Sequence, residues 1–250
     1  MRKGRLVQLA MFIVLLSASG SVAVALPSSA PVSKRAEKAV RVLIQHGLVR
    51  AEIVSSSGSR IRDYRVDRGI VRKIRKRRLK LREADGTMVS IRLSKKTRIK
   101  FKGHKAGRWR IRVGMHATAI RKGNSAASKL FVSKKSNDKS QPTIKALLRW
   151  WVRVEVVSDI AGQINDSRAD TGVIESVEAE TLTLDESDGT VADIPIDSTA
   201  EVQIKNKTAD ITDLAAGMQA TTIQHSDGSP TQIWAVGKTT GEKGRGGGGG

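Results

Sequence analysis

Apolar and polar residues alternate with a period of two through much of the chain, in short runs separated by turn residues. That is the pattern of half-buried strands. Residues 49–55 (VRAEIVS) form the first run, and a Ser/Gly cluster at 56–59 ends it. Residues 61–66 return, and Asp67-Arg68-Gly69 reads as a turn. Residues 70–74 and 79–83 then read as a hairpin. Asp85-Gly86 is the strongest hairpin-turn signal, because a two-residue connection needs positive φ and glycine adopts it without steric cost. Further alternating runs occupy 88–93, 98–102, 116–121 and 129–133. Six or seven short strands in about a hundred residues, with turns at regular spacing, predict a small antiparallel barrel or sandwich. A barrel related to the OB architecture is the preferred form, since closure removes exposed strand edges. Residues 34–45 (KRAEKAVRVLIQ), with Gly47 just beyond, predict a short helix. Residues 144–151 (IKALLRWW) predict a second, whose Trp150-Trp151 pair reads as filling a gap between elements, with a membrane or partner contact as the other reading.

The same pattern occurs twice. A shift of 103 positions superimposes two long segments without a gap. Val49-Arg50 falls on Val152-Arg153, Gly69 on Gly172, and Leu79, Leu81 and Glu83 on Leu182, Leu184 and Glu186. Asp85-Gly86-Thr87 falls on Asp188-Gly189-Thr190, and Gly114-Met115 on Gly217-Met218. Self-similarity over such a period marks a duplicated structural unit. The fold expected is mainly β: two tandem small antiparallel β-barrels, OB-like, at 39–135 and 142–238. A polar linker at 136–141 joins them, and a Gly-rich tail at 239–250 is expected to be disordered. One place is locally ambiguous. Residues 108–113 (RWRIRV) alternate like a strand, whereas the matching 210–214 (DITDL) read as a capped turn. Ile111 and Leu214 coincide and are both apolar, which favours a short turn with one shared packing site in both units.

The residues that repeat most faithfully are Gly69, Leu79, Leu81, Asp85, Gly86, Thr87, Gly114 and Met115, in a G-x-(I/V), L-x-L, D-G-T, Gly-Met order. This pattern resembles a family of bacterial secreted repeat domains of unknown function. The resemblance covers most of the chain beyond the N-terminal segment and implies small β-barrels. It implies no catalytic residue.

The N-terminal residues carry a different signal. Arg2, Lys3 and Arg5 precede an apolar run at 6–16, and Ala23-Val24-Ala25 follows. This is the layout of a secretory signal peptide, 1–25, with an uncleaved anchor as the other reading. An extracytoplasmic location is therefore expected: secreted, periplasmic or cell-wall associated. Cysteine is absent, which excludes a disulfide scaffold, a thiolate metal site and a cysteine nucleophile.

Charge separates the two copies. The chain carries 45 Lys+Arg against 24 Asp+Glu, a net charge of +21. Residues 31–135 hold 32 basic and 6 acidic side chains, while 136–238 hold 8 and 17. Matched positions change sign: Arg72, Arg75, Arg77, Arg82 and Arg98 stand against Glu175, Glu178, Glu180, Asp185 and Glu201. A polyanion-binding face is expected at Arg72, Lys73, Arg75, Lys76, Arg77, Arg78, Lys80, Arg82, Arg98 and Lys100. Its partner would be an anionic polymer or surface: a wall polymer, an acidic polysaccharide, an anionic lipid surface or extracellular DNA. The aromatics of the first unit, Tyr64, Phe101, Trp109 and Phe131, are expected mostly inside, so contact would be charge-driven, without sequence readout. Two other readings stand beside it. In one, the charge serves only solvation; in the other, Glu175, Glu178, Glu180, Asp185 and Glu201 form a counter-face, and basic and acidic units dock within or between chains.

Catalysis has the weakest support. His46, His104, His116 and His225 are scattered without metal-ligand spacing, and no nucleophile elbow, P-loop or dinucleotide fingerprint is present. Asp185, Glu186 and Asp188 cluster at a turn without the EF-hand pattern. No enzyme activity, metal, cofactor or small-molecule substrate is expected.

Overall fold

A computed structural model describes residues 33–57, 59–134 and 147–237. The signal-peptide segment, the 136–141 linker and the 239–250 tail lie outside these. Helix α1 (Lys34–Gln45) matches the expected helix. Ser33 caps it, accepting from the Arg35 backbone N–H at 3.2 Å, and Ala36, Val40 and Ile44 make one buried stripe. Gly47 ends it at φ +63°, and a Cβ there would stand 2.0 Å from the Asp159 carbonyl oxygen. Both its conformation and its surroundings therefore require glycine.

The strands of the first unit are β1 (Leu48–Ser57), β2 (Arg60–Arg75), β3 (Arg78–Arg82), β4 (Met88–Phe101), β5 (His104–Lys105), β6 (His116–Lys122) and β7 (Ala127–Ser133). Five of them close a ring, β2–β3–β4–β7–β6 and back to β2. All its pairings are antiparallel except β4–β7, which is parallel. This is a closed five-stranded barrel of the OB kind, as the alternation predicts. Leu79, Leu81, Ile91, Leu93, Ile111 and Leu130 fill it.

The second unit comprises β8 (Trp151–Ile160), β9 (Gln163–Val177), β10 (Thr181–Glu186), β11 (Val191–Pro195), β12 (Glu201–Ile204), β13 (Lys207–Ala209), β14 (Gln219–His225) and β15 (Gln232–Val236). It repeats the order of pairings, including a parallel β12–β15 pair, around its own core of Ile174, Leu182, Leu184, Ile194 and Met218. The stave that is the single strand β4 in the first unit is broken here between β11 and β12. Pro195 has no N–H to donate, and the Asp197 carboxylate accepts from the Thr199 N–H at 2.8 Å, which bends the chain. The expected pair of closed barrels is thus one closed ring and one interrupted copy.

Three local expectations change or resolve. Asp67-Arg68-Gly69 is not a turn but the middle of β2. The glycine serves close approach instead: a Cβ on Gly69 would lie 2.3 Å from the Arg82 carbonyl oxygen, and one on Gly172 2.5 Å from that of Asp185. The described part of 144–151 is not helical. Residues 147–150 turn, Trp150 has φ +64°, and Trp151 starts β8 with its ring buried. The ambiguous segments are short 3-10 turns in both units, Arg108–Arg110 and Ile211–Asp213, with Ile111 and Leu214 buried beneath them.

The units are not separate beads. Strand β1 pairs antiparallel with β8, with Glu52 opposite Glu155, Ala51 opposite Val156 and Ile53 opposite Val154. Glu52 faces its own copy, and Ala51 and Ile53 each face the copy of the other, so a local two-fold axis runs between Glu52 and Glu155. That is the geometry of an isologous interface, here within one chain. Helix α1 packs over the junction against β1, β8 and β14.

Candidate functional site

The basic face lies on the outside of the closed barrel. Along β3, Leu79 and Leu81 point inward while Arg78, Lys80 and Arg82 point out. A bulge in β2 between Val71 and Lys73 turns both Arg72 and Lys73 outward, and the equivalent bulge occurs at Glu175. Lys76, at φ +41°, and Arg77 form the turn into β3. All ten predicted residues are exposed. The structure brings Arg72, Lys73, Arg75, Lys76, Arg77, Arg78, Lys80 and Arg82 together on one hairpin. It sets Arg98 and Lys100 apart, past an irregularity in β4, beside Lys129 and Lys105. There Lys100 Nζ also stands 5.9 Å from the Phe131 ring centroid.

The register places like charges opposite one another. Lys73 faces Lys80, Arg75 faces Arg78, and Arg78 faces Arg92. Such pairs repel and weaken a sheet. Among the described residues no ion pair links any of the ten to a carboxylate. The apolar interior holds the rows together while their electrostatics oppose it. On the second unit Glu175, Glu178, Glu180, Asp185 and Glu201 are likewise exposed. Neither face covers the other.

Two groups of residues escaped the sequence reading. The first surrounds the turn at Arg108–Arg110. Arg108 Nη1 donates to the Lys76 carbonyl at 2.7 Å and so pins this turn to the end of the basic hairpin. Arg92 Nη2 reaches the Asn124 carbonyl at 3.3 Å and ties the β6–β7 loop to the same face. Trp109, one of the four aromatics expected mostly inside, is 65% exposed. A signal was available: its match is Thr212, and a core position would have stayed apolar in both copies, as Ile111 and Leu214 did.

The second group is a buried charge cluster present in both units. In the first, Arg121 donates to both Asp67 oxygens at 2.9 and 3.0 Å, and Arg50 donates to Glu83 at 3.0 Å and to Asp85. In the second, Arg168 grips Asp170 in the same two-pronged way, and Arg153 reaches Glu186 and Asp170. Burial lifts the Glu83 carboxyl to about 7, and the Asp67 and Asp85 charges add to the rise against the pull of Arg50. Burial and the adjoining Asp170 lift Glu186 to about 8, against Arg153. Carboxyls in that range suit acid–base catalysis. The side chains of these two have no solvent-exposed surface, however. They read as clamps that fasten β1 and β8 to the barrel hairpins.

A shallow groove of about 320 Å³ lies between α1 and the strands β14 and β15. It is lined by Ala39, Val42, Leu43 and Ile223, with Arg35, Lys38 and His225 also at its walls. No carboxylate lines it, and neither does any residue of the basic hairpin. Compared with family models, with curated proteins and with solved structures, the chain matches none.

Proposed function

We propose that the chain is a non-catalytic binding protein whose first barrel holds an anionic polymer on the outer face of β2, β3 and β4. One observation carries this reading. Like charges stand opposite one another across three strands, all exposed, with no carboxylate partner among the described residues. A sheet that accepts this repulsion gains from a polyanion that relieves it. The signal-peptide pattern at 1–25 supports a partner met outside the cytoplasm, such as a wall polymer, an acidic polysaccharide, an anionic lipid surface or extracellular DNA. The second unit serves as a scaffold, fused to the first through β1 and β8.

The exposed acidic face favours a second reading, in which the basic face of one chain meets the acidic face of another and a structural array grows head to tail. Sedimentation of the chain over a range of concentration and salt separates the two. Polymer capture predicts a constant size and salt-sensitive retention on an anionic matrix. Assembly predicts a size that grows with concentration and falls back in high salt.

A further inference from the structure

The turn next to the basic hairpin is built around an open aromatic ring. Trp109 is 65% exposed, the most exposed large apolar side chain among the described residues. Its position is nevertheless fixed. A Cβ on Gly107 would lie 2.5 Å from Trp109 Nε1 and 2.6 Å from Cδ1, so the pyrrole edge of the indole rests on the glycine. The Arg110 guanidinium stacks 4.4 Å from the ring centroid. Arg112 donates to the Trp109 carbonyl, and Ile111 anchors the segment in the barrel core. Arg108 holds the turn against Lys76, where the basic rows begin.

The second unit has none of this. Asp210 replaces Gly107 and closes the turn on itself in a reciprocal cap with Asp213, and Thr212 replaces the indole. The two copies share the turn and the buried anchor, and only the basic copy carries the ring.

We propose that the first barrel takes single-stranded nucleic acid, with a base stacked on Trp109 and the following phosphates on the Arg and Lys rows of β2 and β3. This rests on the anionic-polymer reading above and names the class of polymer. Each nucleotide of a single strand offers a flat ring and one phosphate. The turn and hairpin offer the matching pair: a flat indole with one side covered by a cation, and exposed cations beyond it. A polymer that carries charge alone leaves the indole in water. A duplex hides its base faces, so it meets only the cations. Stacking tolerates any base, in keeping with a site that has no built donor and acceptor pattern to read sequence.

The test uses the whole chain with three probes: a short oligothymidylate, a DNA duplex of equal length, and heparin as a sulfated polysaccharide. Trp109→Ala is expected to weaken oligothymidylate binding about tenfold, the usual effect of losing one stacked base. Trp109→Phe restores most of it. The salt slope and the affinities for duplex and heparin stay within about twofold, since no cation is removed. Because the ring is exposed, thermal unfolding of both variants serves as the control for folding. Oligothymidylate binding unchanged in Trp109→Ala overturns the proposal. An equal loss for heparin also overturns it and assigns the ring to a sugar. Heparin binding without oligothymidylate binding defeats this inference and leaves the polyanion reading standing. Failure of the wild-type chain to bind any probe defeats both.

Discussion

The double substitution Arg78→Glu and Lys80→Glu is expected to make the protein more stable and a poorer binder. Arg78 stands between Arg75 and Arg92, and Lys80 stands opposite Lys73. The two changes turn three repulsive cross-strand pairs into attractive ones, each worth about 0.2–1 kcal/mol. Both side chains are exposed, and the inward residues Leu79 and Leu81 are untouched, so packing is unaltered. Stability measured by urea unfolding at low salt should rise by roughly 1–2 kcal/mol, and the gain should shrink as salt screens the pairs. Binding to an anionic polymer should fall on the order of a hundredfold at low salt, because two cationic contacts are replaced by two repulsions. Opposite movements in stability and binding mark a surface kept for function at a cost in folding. If binding drops while stability also drops, the rows contribute to folding, and the charge argument fails.

The second large effect concerns pH. The Glu186 carboxyl is held near 8 in the folded protein by burial and by Asp170, and Glu83 near 7, against an ordinary value of 4.5. Below about 4.5 these groups carry their proton in both folded and unfolded chains. Between 4.5 and 8 the unfolded chain releases the proton and the folded chain keeps it. The unfolded state then binds fewer protons, and stability falls as pH rises. The fall should level off once Glu186 ionises in the folded state, above about 8. The expected result is a melting temperature that declines from pH 5 to pH 9, the reverse of the usual trend for paired carboxylates. Glu186→Gln should flatten most of that decline. Its amide can donate to Asp170 and accept from Arg153, as the protonated acid does. At pH 5 it should match the wild-type chain, and at pH 9 it should melt higher. A wild-type stability that rises over this range would mean the carboxyl is ionised in the folded protein.

Much of the architecture was legible because of the duplication. Two copies that share apolar spacing but not surface charge show which positions face inward. That comparison disclosed the barrel strands, the hairpin turns at Asp85-Gly86 and Asp188-Gly189, and the buried pair Ile111 and Leu214. It also placed the basic residues outside. The failures have physical causes. Gly69 suggested a turn because glycine serves two purposes, positive φ and close approach, and here it serves the second. The second barrel opens because Pro195 and Asp197 interrupt one stave, a local matter that the shared apolar pattern does not report. In the sequence Glu186 groups with Asp185 and Asp188 as a turn carboxylate. The contrast between the copies held a better signal. Arg50, Glu83 and Asp85 keep their charge in Arg153, Glu186 and Asp188 while the surface around them reverses sign. Exposed charges can change freely, but a buried set tolerates only a replacement that keeps its hydrogen bonds, since a partner left unsatisfied costs about 1–3 kcal/mol or more.

The measurement that bears most directly on the central claim is the affinity of the whole chain for an anionic polymer over a series of salt concentrations. An open basic face predicts tight binding at low salt and a linear fall of log affinity with log salt. The slope should correspond to several neutralised charges and become shallower by about two in the Arg78→Glu, Lys80→Glu chain. An absence of binding at low salt, with the protein folded, would contradict it and leave the charge of the first barrel as a solvated surface.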